Sequence, residues 1–242
     1  MNKIFKYILL TVMVFNTTAF AKENKSGLES LKTTFKMYKQ FTLEGQFEKT
    51  IDYIYPPVFA ITPKETLINA SKMVKESGGM PKITSIKETI KTPFKSYSKG
   101  SYTLIKYTMD MTMNLTPPVK KENKEEYAKV QKMLNSPSEL KAYKSFMLQM
   151  LKARMGKDAV ITSSKKSSLT FNIKKISTLI AINENKIGWK FVEPEPQMIA
   201  ELKKVLPKEI IKNEKKIFDV KVPTAEEQMA EMMKIMQENR KK

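Results

Sequence analysis

Few residues of this chain could carry chemistry, and they fall on one stretch. Between Tyr102 and Leu115 apolar and polar residues alternate six times. Ile105, Tyr107, Met109, Met111, Met113 and Leu115 share one side. Lys106, Thr108, Asp110, Thr112 and Asn114 share the other. A period of two is that of a β-strand, and it separates two kinds of chemistry. Asp110 is a mid-strand carboxylate. Enclosed in an apolar pocket it would hold its proton more tightly and could serve as a general base. Its own side, rich in lysine, threonine and asparagine, reads instead as a solvated face. Met109, Met111 and Met113 place three thioethers in a row. Soft thioethers select Cu(I), while the same spacing serves ordinary core packing, where methionine fills irregular gaps.

What the chain lacks narrows the field. Its 242 residues contain neither cysteine nor histidine. Without cysteine there is no disulfide framework, thiol nucleophile or thiolate metal site. Without histidine the usual catalytic triads, zinc sites and imidazole proton relays are excluded. No cofactor-binding motif is present, and none is expected. The formal net charge is +19. Apart from Arg154 and Arg240 the basic residues are lysines, which lack the planar fork used for bidentate phosphate recognition. There is no basic–aromatic interleaving, so specific nucleic-acid binding is not expected.

The N-terminus has the pattern of a signal peptide: Lys3 and Lys6, an apolar run from Ile8 to Phe15, then Ala19-Phe20-Ala21 as a small-x-small site. Cleavage is expected after Ala21, giving a periplasmic or secreted protein. No other segment approaches the ~20 apolar residues of a membrane span. The expected organisation is a leader (1–21), an α+β domain (22–193) with a helical insert (120–156), and a helical extension (194–242).

The elements that must position the strand are legible in turn. Leu28, Leu31, Phe35 and Tyr38 form a helical stripe, and Phe47, Ile51, Ile54 and Tyr55 a second, stopped by Pro56-Pro57. Thr62-Pro63-Lys64-Glu65 opens a third helix, expected to bury Leu67, Ile68 and Met73. Lys82–Thr92 reads as a strand with a bulge near Ser85, because Ile83, Ile86 and Ile90 break strict alternation. Lys120–Asn135 and the helix opened by Ser136-Pro137-Ser138-Glu139 make a helical hairpin between strands. Further strands are expected at 159–163, 169–174, 176–182 and 187–192, the last carrying Trp189 and Phe191 on one side. Helices resume after Pro196, break at Pro207 and resume at 208–212, an extended piece follows at 218–222, and a methionine-striped helix (Met229, Met232, Met233, Met236) closes the chain after Thr224.

The stretch Gly45–Pro57 (GQFEKTIDYIYPP), the strand Ile187-Gly188-Trp189-Lys190-Phe191 and the order of elements between them resemble the NTF2-like superfamily, most of all its uncharacterised exported members. The resemblance covers residues 27–193. It implies a curved antiparallel sheet wrapped on N-terminal helices into a cone, with a ligand pocket among Tyr53, Tyr55, Tyr107, Met109, Met111 and Trp189. Its members include isomerases and dehydratases, for which Asp110 would be the carboxylate here. The sequence thus carries three readings: a non-enzymatic module that binds a small apolar ligand or a protein partner, an isomerase or dehydratase built on Asp110, and a Cu(I) binder built on Met109, Met111 and Met113. The first is preferred.

Overall fold

A computed structural model describes residues 26–76, 80–114, 124–155, 159–163 and 169–219, without the side chains of 126, 127, 130, 133, 134, 153 and 154. The expected signal peptide, Leu115 and the methionine-striped C-terminal segment lie outside these residues.

The fold is α+β: a six-stranded antiparallel sheet with helices packed against it. The first helix, α1, spans 26–43 and is followed by the short α2 (Phe47–Thr50) and a 3-10 turn (Ile51–Tyr53). A second 3-10 turn, Pro56–Ala60, leads to α3 (Lys64–Glu76). The strands are β1 (Lys82–Ile90), β2 (Lys95–Tyr97), β3 (Gly100–Asn114), β4 (Val160–Ser163), β5 (Thr170–Glu184) and β6 (Gly188–Val192). Helices α4 (Lys124–Asn135) and α5 (Pro137–Met155) separate β3 from β4, and α6 (Ile199–Val205), α7 (Lys208–Asn213) and α8 (Lys215–Phe218) follow the sheet.

The long strands β3 and β5 are the spine. They pair without a slip from Gly100↔Glu184 to Asn114↔Thr170. On the β3 side lie β1 and β2, and on the β5 side β4 and β6. The register of β1 shifts between Ile83 and Ser85, where the broken alternation placed a bulge. The two expected strands at 169–174 and 176–182 are one, β5, because Lys175 continues the ladder instead of ending it. At the tight end of the spine a Cβ on Gly100 would lie 2.0 Å from the Asn183 carbonyl oxygen, so only glycine permits this approach.

Odd-numbered residues of β3 and β5 face α1 and α5. Leu31 and Phe35 of α1, and Met147 and Leu151 of α5, close over Ile105, Tyr107, Met111, Phe171, Ile173 and Leu179. Trp189 and Phe191 of β6 join this core from one side of their strand. The opposite face is solvated along Lys106–Asn114, as the alternation predicted, but only there. At the other end of the spine Tyr102, Leu104, Ile180 and Ile182 are buried under a second layer of Val58, Ile199, Leu202, Leu206, Ile210 and Phe218. Each such side chain contributes about 1.5–3 kcal/mol by leaving water. The helices after Pro196 therefore pack on the sheet as an integral layer.

Two expectations are corrected. Helix α3 buries none of its residues; Leu67 and Ile68 are half-buried and Met73 is 70% exposed. α3 packs beside α2 and the 3-10 turn Ile51–Tyr53 instead of on the sheet, so its apolar stripe is only partly covered. Phe218, expected to begin an extended segment, lies in α8 as part of the second core.

Candidate functional site

Two cavities meet at Tyr38 of α1, one between α1 and the sheet and one around the β6 edge. The smaller, about 150 Å³, is bounded by Phe35, Tyr38 and Thr42 of α1, Phe47 of α2, Ile83 and Ile86 of β1, and Tyr107, Met109 and Leu179 of the spine. The larger, about 270 Å³, lies at the β6 edge of the sheet between Ile54, Val58, Leu67, Phe191, Met198 and Leu202. Tyr38, Leu179 and Glu193 line both. The walls are apolar and aromatic. Phe191 is the hub: its ring centroid lies 5.1 Å from that of Tyr38, 5.6 Å from Phe35 and 6.5 Å from Tyr53.

Glu193 and Glu195, the charged residues of these walls, belong to one connected polar set. The Nζ of Lys175 donates to Glu193 at 2.7 Å and to Glu195 at 3.2 Å. The hydroxyl of Ser177 donates to Glu193 Oε1 at 2.8 Å. Tyr107 stands opposite Ser177 across the ladder, where the Glu193 charge acts on its phenol. Burial first, and the Glu193 charge second, hold the Tyr107 and Tyr38 phenols well above their ordinary range, so both remain O–H groups. For Lys175 burial works against the charge. The charges and hydrogen bonds of Glu193 and Glu195 outweigh it, and the ammonium titrates above its ordinary value. Glu193 is thereby a fixed carboxylate with two neutral phenols nearby in an apolar enclosure. Such an arrangement accepts a single hydrogen bond from a largely apolar molecule and orients it.

The local sequence explains the placement. β6 ends at Val192, and Glu193-Pro194-Glu195-Pro196 follows. The prolines restrict the backbone while the two carboxylates converge on Lys175. Lys175 and Ser177 are odd-numbered residues of β5, on the helix-covered side.

The residues singled out from the sequence divide. Tyr107 and Met109 line the smaller cavity. Tyr53 stacks on Phe191 outside both cavities, with the Lys190 ammonium 5.9 Å from its ring centre. Tyr55 belongs to the second core, where its hydroxyl donates to Glu184 at 2.8 Å alongside that of Tyr97. Met111 is buried in the first core and Met113 packs against it, half-buried. Trp189 meets Phe94 edge-on at 5.1 Å, and its indole N–H is buried without a partner. Asp110 accepts from Ser85 Oγ at 3.1 Å and faces Lys174 across the ladder on the side away from the cavities, so it touches neither of them. Among the described residues no cluster of three or more acidic side chains is placed to hold a metal ion, and no helix is long and apolar enough to cross a membrane.

Glu193, Lys175 and Ser177 were not singled out from the sequence, and Tyr38 was named only as part of a helical stripe. The available signals were a lysine pair interrupting an apolar strand and two glutamates alternating with prolines after the tryptophan strand.

Comparison with protein-family models, with curated proteins and with solved structures returns no match.

Proposed function

We propose that this protein is an exported, NTF2-like binding module that holds a small apolar ligand in the cavities that meet at Tyr38 and Glu193. The supporting observation is the pair of cavities that share Tyr38, Leu179 and Glu193, with largely apolar walls and one anchored carboxylate common to both. The NTF2-like reading rests on the order of elements and on an antiparallel sheet covered by an N-terminal helix. Export rests on the leader pattern before Lys22. The binding reading is preferred to the isomerase reading because Asp110 lies away from the cavities, and to the copper reading because Met111 is packed among Phe171 and Ile173.

A neutral fluorescent probe, N-phenyl-1-naphthylamine, tests the reading. It is expected to bind with blue-shifted emission. Met198→Trp and Leu67→Trp, two half-buried positions on the larger cavity, are expected to weaken binding at least tenfold while the variants stay folded by circular dichroism. Absence of binding to the wild-type protein, or unchanged affinity in both folded variants, overturns it.

A further inference from the structure

We propose that a second site, a groove between α1 and the edge strand β1, binds a single-chain anionic amphiphile: a carboxylate head carried on an alkyl chain. This site is separate from the cavities and does not rest on the reading given for them.

The groove measures about 920 Å³, within the ~300–1,000 Å³ range of ligand pockets. Two contacts fix its geometry. The Lys39 ammonium of α1 bridges to Glu88 of β1 at 2.8 Å. At the other end a Cβ on Gly27 would sit 3.0 Å from the Phe94 ring, so the start of α1 lies beside the chain just after β1. Helix and strand are therefore antiparallel neighbours, and the groove runs about 18 Å between the two contacts at 1.5 Å per helical residue.

Charge is distributed unevenly along it. Leu28, Lys32, Lys36, Lys39 and Leu43 recur at helical spacing down the side of α1 that lines the groove. The Lys39–Glu88 bridge neutralises the end at which it lies. Beyond it Glu44 already accepts from the side-chain amides of Gln40 and Gln46, at 2.9 Å each. On the Gly27 side Lys32 has only an exposed partner, Glu29 on its own helix, and exposed pairs of this kind are weak. Lys36 has no carboxylate partner among the described residues. These two ammonium groups flank a floor of half-buried Leu28 and Ile90, with Thr92 at the margin. Two available cations above an apolar floor complement an anionic head with its chain lying along the groove. A hydrophilic anion would leave the floor wet, and a neutral hydrocarbon would leave the lysines unused.

Dodecanoate, below its micelle concentration, is the probe, with dodecanol as the uncharged comparison, both measured by displacement of a fluorescent fatty acid from the full chain. Dodecanoate is expected to bind at least tenfold more tightly than dodecanol. Lys32→Gln/Lys36→Gln is expected to remove that preference, and Ile90→Glu to weaken dodecanoate binding at least tenfold. Met198→Trp, which fills the larger cavity, is expected to leave dodecanoate binding unchanged. Equal affinity for the two probes, or loss of dodecanoate binding in Met198→Trp but not in the lysine variant, overturns the proposal. So does binding to vesicles of anionic phospholipid without binding to dodecanoate monomers, because the occupant would then be a membrane surface.

Discussion

Replacing Lys175 by methionine tests the reasoning that joins strand, ion pair and cavity. Methionine keeps most of the aliphatic stem and removes the charge. Lys175 and Glu193 are 13% and 25% exposed at their side chains. Removing one partner of a fully buried pair costs about 3–5 kcal/mol, because the other charge is stranded, whereas exposed pairs are worth about 0.2–1 kcal/mol. This pair is mostly buried, and Glu193 keeps its bond from Ser177, so a loss of about 2 kcal/mol is expected, equivalent to ~4–8 °C in Tm for a chain of this size. The double change Lys175→Met/Glu193→Gln leaves a neutral amide that still accepts from Ser177, and should cost about 1 kcal/mol or less. The two substitutions therefore couple by more than 1 kcal/mol, since the second relieves the first. Urea denaturation at pH 7, followed by circular dichroism, provides the measurement. A single variant within 0.5 kcal/mol of wild type, or a double variant whose loss equals the sum of the two single losses, would refute the argument that this ion pair fixes the carboxylate.

Leu202→Ala opens a void in the second core at a side chain with no exposure; a loss of about 2–5 kcal/mol by urea denaturation is expected, and one below 1 kcal/mol would mean that α6 does not seal the sheet. In alkali the Tyr107 phenol and the Lys175 ammonium hold their protons in the folded state above the pH at which the unfolded chain releases them, so stability is complete below about pH 10 and falls as pH rises, by up to ~1.4 kcal/mol per pH unit for each group. Tyr107→Phe should flatten that decline between pH 10 and 12 in urea titrations at stepped pH, and an unchanged slope would remove Tyr107 from the account.

Local rules carried the sequence reading where the structure obeys them locally. The β3 alternation, the bulge before Ser85 and the start of α5 at Pro137 depend on backbone geometry within a few residues, and each was visible in the chain. The second core was not. Tyr102 and Leu104 interrupt the alternation only because Leu202 and Ile210, about a hundred residues later, return to cover them. Met73 was misplaced for the converse reason: α3 has an apolar stripe, but the helix packs beside α2 and a 3-10 turn and not on the sheet, so Met73 stays exposed. The polar set at the cavities was hidden by ambiguity. A lysine and a serine in a strand are ordinary solvent-facing residues until a carboxylate from outside the strand meets them on the covered side. Periodicity reports which face a residue is on, but not what stands opposite it.

The Lys175 cluster also links the cavities to the second layer. Glu195 does more than share the lysine. Its carbonyl oxygen accepts from the Met198 backbone N–H at 2.9 Å, opening the 3-10 turn Pro196–Met198 that leads into α6. Its second carboxylate oxygen is held by the Gln197 side chain at 2.6 Å. Met198 and Leu202, placed by this turn, form part of the wall of the larger cavity. One ammonium on β5 therefore anchors the carboxylate exposed in the cavities and the turn that sends the chain to the opposite face. Protein interiors close-pack and leave few voids larger than a water molecule. Here the wall is held at Glu193 and Glu195 by a mostly buried lysine whose desolvation would be less well compensated if either moved away. The cluster thereby resists closure of the cavities, and this accounts for a lysine on the covered side of the longest strands in the sheet.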